Sequence, residues 1–71
     1  MSVDIGKSTR IAMAHHDMTQ AELARRVGTS PSTIAQVCRK RYWNLGMVER
    51  IASATGFTAA QFIELGESSD G

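Results

Sequence analysis

Seventy-one residues with a single cysteine allow one domain and no internal disulfide, so a small core must be supported by close helix packing or by a second copy of the chain. No apolar run approaches the roughly 20 residues that span a bilayer, and no secretory signal opens the chain. No membrane-spanning segment is therefore expected, and the lone thiol suggests a cytoplasmic setting. The formal charge is only +1, but it is unevenly spread: all eight Lys and Arg lie in residues 1–50 against four acids, while residues 51–71 hold only Glu64, Glu67 and Asp70. A basic body of net +4 with an acidic end of net −3 is a polarised molecule, and its basic part is open to an anionic partner.

The chain reads as helices without strands. Asp4 is a candidate cap for a first helix running to about Asp17, with Ile5, Thr9, Ala12, Met13 and His16 along one face. Ile11 has no place on that face. His15 and His16 point about 100° apart and have no further ligand at helical spacing, so no metal is expected. His16 is read as the edge of the core and His15 as facing solvent near the negative helix end.

Residues 19–39, TQAELARRVGTSPSTIAQVCR, carry the most information. Thr19 and Glu22 have capping-box spacing for a second helix over 20–27, with Leu23, Ala24 and Val27 on one face. Gly28 suits the left-handed exit from that helix. Ser30 caps a third helix over 31–39, and Pro31 sits where a missing N–H costs nothing. Ile34 and Val37 point inward, leaving Ser32, Ala35, Gln36 and Arg39 outside. Two short helices around a glycine turn, with a polar outer face and a basic run after it, make a helix-turn-helix shaped for the major groove.

Residues 39–43, RKRYW, form a connector in which Trp43 is expected to cap the core and Tyr42 to be partly exposed. Asn44 caps a fourth helix to about Thr55, with Leu45, Val48, Ile51 and Ala52 inward, and Gly56 ends it. Thr58 and Gln61 repeat the capping-box spacing before a fifth helix bearing Phe62, Ile63 and Leu65. Phe57, Phe62, Ile63 and Leu65 are more apolar than one short helix needs. Phe57 and Ile63 are therefore expected to be exposed in a monomer and paired across a two-fold axis. The expected fold is all-α, a compact five-helix bundle over residues 1–65. Residues 66–71, GESSDG, form a flexible acidic tail.

The blocks MTQAELARRVGTSPSTIAQV and VERIASATGFTAAQFI, in this order and at this distance, resemble the lambda-type repressor/Cro class of helix-turn-helix proteins, also called the XRE family. The likeness runs from about Ile5 to Leu65. It implies a lambda-repressor-like domain, a homodimer on a palindromic double-stranded DNA operator, and repression by occluding a promoter, as in a Cro-like phage or prophage regulator. It also implies residue roles. Gln20 matches a phosphate-contacting position; Ser30, Pro31, Ser32 and Gln36 match positions that face base edges. Arg39, Lys40 and Arg41 match the connector that grips phosphates, with Arg10 and Lys7 able to reach the backbone from the first helix. Many relatives pair an arginine at the position of Met13 with a carboxylate at the position of Cys38. Here both positions are apolar or nearly so, which implies that Met13 and Cys38 touch.

A protein-interaction module, such as an antitoxin that binds a partner as well as DNA, is the alternative. No phosphate loop, paired carboxylates or nucleophilic triad fits so short a chain, so neither an enzyme nor a small-molecule substrate or cofactor is expected.

Overall fold

A computed structural model describes residues 4–39 and 43–67, which form five helices: α1 (Ile5–His15), α2 (Gln20–Val27), α3 (Pro31–Cys38), α4 (Leu45–Ala54) and α5 (Ala59–Gly66). Each begins at a polar cap. The side chains of Asp4, Thr19, Ser30, Asn44 and Thr58 accept from the backbone N–H of Lys7, Glu22, Thr33, Met47 and Gln61. Only the last is a full capping box, with Gln61 Oε1 accepting from Thr58 N–H in return. The expected second box is half formed, because the Glu22 carboxylate turns outward to Arg26 at 3.0 Å instead.

α1 packs against α5, α3 and α4; α2 packs against α3 and α4; and α4 lies against α5. Leu23, Ile34, Val37, Val48, Ile51 and Phe62 are wholly buried at the centre, with Ala12, Ala24 and Ala52 where helices approach closely. The inward positions of α2 and α3 are those their spacing predicts.

Four expectations need correction. α1 ends at His15 rather than near Asp17, which turns the chain in the left-handed region at φ 52°; a short polar side chain tolerates that conformation. Leu45 is 62% exposed and Trp43 53% exposed. Leu45 is the first residue of α4, ahead of the point where the helix meets its neighbours, and Trp43 precedes the cap, so neither closes the core. His16 is also exposed, although its Nε2 lies 2.6 Å from the Thr55 carbonyl. A carbonyl can only accept, so His16 Nε2 carries the proton and joins the C-terminal ends of α1 and α4.

The fourth correction concerns the tail. Gly66 belongs to α5 and is buried, and its carbonyl accepts from Asp4 N–H at 3.0 Å. A Cβ at Gly66 would drive into the Asp4 carbonyl and Ser8 Oγ. Glycine here lets the end of α5 lie against the start of α1. Residues 68–71 of the expected tail lie outside the described residues. Ile11, which periodicity left unplaced, is half-buried.

Candidate nucleic-acid interface

The turn between α2 and α3 is built by local chemistry. Gly28 takes φ 87°, and the N–H groups of Gly28 and Thr29 both return to the Ala24 carbonyl at 2.8 and 2.9 Å. This reverses the chain within three residues and delivers Ser30 as the cap of α3. Burial of Ile34, Val37 and Cys38 then sets the rotation of α3 about its axis. The opposite side presents Ser30, Pro31, Ser32, Gln36 and Arg39, all exposed, with Ala35 between them half-buried.

Ser30 differs from its neighbours on this face. Its hydroxyl accepts from Thr33 N–H at 3.2 Å and lies 3.1 Å from Thr33 Oγ1, so it is already engaged as a cap. The side chains of Ser32 and Gln36 have no partner among the described residues. Gln36 offers one acceptor and two donors in a plane, the set that pairs with adenine in the major groove. Gln20 is exposed at the first position of α2, where backbone N–H groups point outward and an anion is favoured. Arg39 is exposed at the C-cap of α3, its own N–H returning to carbonyls of the last turn. Lys40 and Arg41 lie outside the described residues.

Arg10 occupies an unexpected place. Although the residue is exposed, its guanidinium Nη1 donates to the Cys38 carbonyl at 2.6 Å. Cys38 is buried, 7% exposed, as a small hydrophobe. Met13 is half-buried against the same core cluster, but the polar link from α1 to Cys38 is made by Arg10, one turn earlier. Gly6, one turn earlier again, lies so close to α3 that a Cβ would fall 2.6 Å from the Cys38 carbonyl oxygen. The sequence held a signal for this: a glycine inside a helix costs stability unless close packing needs it.

Burial pushes the Cys38 thiol above its ordinary value of 9.0, with the nearby Arg10 charge acting in the opposite direction. The folded state therefore holds this proton more tightly than the unfolded chain does. The stability linked to this proton is intact below pH 9 and is lost as pH rises from there through the higher folded value. Cys38→Ala should accordingly flatten the alkaline limb of the stability curve above pH 9, measured by urea unfolding across pH. An unchanged limb would show that other groups set it.

The half-buried Phe57 packs edge-on to the rings of His15 and His16, with centroids 5.8 and 6.4 Å away. Ile63 is half-buried as well. The two residues expected to be exposed are thus partly used within one copy of the chain. No helix among the described residues is long and apolar enough to cross a membrane.

The paired helices, the left-handed glycine between them and the outward polar face define a helix-turn-helix DNA-binding domain. The chain matches the Cro/C1-type HTH DNA-binding domain over residues 10–67 and belongs to that family, a class of transcription regulators. Its structure is similar to that of a hypothetical transcription factor, NHTF, from Neisseria, with a TM-score of 0.80 and 29% identity, over 86% of this chain and 71% of that one. No curated protein matches the chain.

Proposed function

We propose that the protein is a Cro-like repressor that binds a palindromic operator as a homodimer, with α3 in the major groove. The observation that carries this reading is the division of α3 into a buried side, Ile34 and Val37, and an exposed side bearing Ser32 and Gln36 without partners among the described residues. In this arrangement Gln36 and Ser32 read base edges. Ser30 supports the start of the helix and uses what remains of its hydroxyl, and Pro31 packs on a thymine methyl. Gln20 and Arg39, with Lys40 and Arg41, grip phosphates and set register without reading sequence. Phe57 and Ile63 meet their counterparts across the two-fold axis, which places half-sites roughly 34 Å apart.

Selection of bound sites from a random duplex pool, at about 150 mM salt to weaken purely electrostatic binding, tests the proposal. An inverted repeat with half-sites one turn apart supports it. A pool without consensus, bound only loosely and in a salt-sensitive way, favours the antitoxin-like alternative. The exposed Trp43 and Leu45, adjacent to the cap of α4, are the structural support for that alternative among the described residues.

Two substitutions separate reading from gripping. Gln36→Ala should cost about 1–3 kcal/mol on the selected site and relax the preference at one base pair. Arg39→Ala should weaken all sequences alike and lower the salt slope of binding by about one. Affinities over a set of single-base operator variants distinguish the two patterns. Identical profiles would remove the distinction.

A further inference from the structure

We infer that Arg10 is a positioning residue of the DNA-reading helix, acting through the Cys38 carbonyl rather than through a phosphate. Two independent features of α1 converge on that carbonyl. Gly6 brings the α1 backbone against it, with a built Cβ only 3.0 Å from both the Cys38 carbonyl carbon and the Val37 oxygen. Arg10 lies four residues on, on the same side of the helix, and donates to the oxygen from Nη1 at 2.6 Å. Glycine and arginine together hold the last peptide of α3, one by proximity and the other by a charge-assisted hydrogen bond.

The position suits a cation. The last carbonyls of a helix carry its partial negative charge. The Arg39 N–H returns to the carbonyls of Ala35, Gln36 and Val37, and Arg10 serves the next one in line. The N-terminal end of α3 is already held by the Ser30 cap and the Gly28 turn. With both ends fixed, the tilt and rotation of an eight-residue helix are set, and so is the direction in which Gln36 points. Base-edge hydrogen bonds tolerate only a few tenths of an ångström in length, so release of the C-terminal end affects the specific complex and leaves loose phosphate binding unchanged.

This inference rests on the proposed DNA-reading role of α3. The experiment compares the wild-type protein with Arg10→Met and Arg10→Lys on its selected site and on unrelated duplex, across a salt series. The Cys38 carbonyl 13C shift is recorded in each protein. A wild type that selects no site defeats the proposed function and is recognised before any variant is made.

If Arg10 positions α3, Arg10→Met lowers specific affinity by about tenfold or more. It leaves non-specific affinity and the salt slope unchanged and moves the Cys38 carbonyl shift. A slope lower by about one, or an equal loss on both duplexes, assigns Arg10 to a phosphate and overturns the inference. Should Arg10→Met lack a cooperative melt, Arg10→Lys decides, because it keeps the charge but not the planar fork. Reduced specific affinity at unchanged slope then supports positioning. Full affinity with a displaced Cys38 carbonyl signal refutes it.

Discussion

Phe62→Ala will cost the domain about 3–5 kcal/mol. Phe62 is fully buried and is among the largest side chains of the core. It is also the one wholly buried side chain of α5 among the described residues, with Ile63 and Leu65 only half-buried. At the usual stability per residue, a chain of this length has about 4–10 kcal/mol in total, so the loss consumes much or all of it. Thermal melting should show a fall of more than about 12 °C, or no cooperative transition. A shift below about 5 °C would mean that α1 and α4 close over the vacancy, and that α5 contributes less to the core than its burial implies. Because α5 packs along α1, and α1 holds the end of α3, loss of α5 should also reduce DNA binding, although α5 supplies no residue to the proposed reading face.

Gly6→Ala is expected to destabilise the protein against the trend of helix propensity. Alanine in a helix interior is favoured over glycine by about 1 kcal/mol. The new Cβ, however, would meet the Cys38 carbonyl oxygen at 2.6 Å, and that atom is backbone in a helix packed against α1 and α2. Overpacking of this kind costs about 1–3 kcal/mol, so the clash exceeds the propensity gain unless α3 moves away. Movement of α3 would separate the Cys38 carbonyl from Arg10 and turn Gln36. The variant should therefore lose specific affinity out of proportion to its loss of stability. Gly46→Ala is the control: the nearest atom to its Cβ is Asn44 Oδ1, at 3.4 Å, and the change should stabilise by about 0.5 kcal/mol. Melting curves of opposite sign for the two variants are expected. A stabilised Gly6→Ala would show that α1 and α3 are less tightly apposed than their geometry indicates.

Much of this architecture was legible because the signals are local. Thr19, Ser30, Asn44 and Thr58 cap where their side-chain chemistry says they should, since capping depends on atoms within three residues. Gly28 takes a positive φ for a reason internal to one residue. The outward face of α3 follows from the burial of Ile34 and Val37, which periodicity alone indicates. Where the reading failed, the missing information was non-local. Leu45 and Trp43 are apolar, but no neighbour among the described residues buries them. Gly66 resembles the start of a polar tail, yet it fits against the Asp4 carbonyl and Ser8. Glu22 had two local partners available, and its carboxylate went to Arg26 rather than to the backbone.

By itself, then, the sequence determined the number, order and caps of the helices, the glycine turn, the polar reading face and the polarity of charge. Each of these depends on side-chain chemistry over one or two turns. Only the tertiary structure decided what Gly6, Arg10, His16 and Gly66 do. Their partners, Cys38, Thr55 and Asp4, lie 28 or more residues away along the chain. A basic side chain on α1 has the same local signature whether it meets a phosphate or a helix end, and the packing of α1 against α3 brings the Cys38 carbonyl to Arg10.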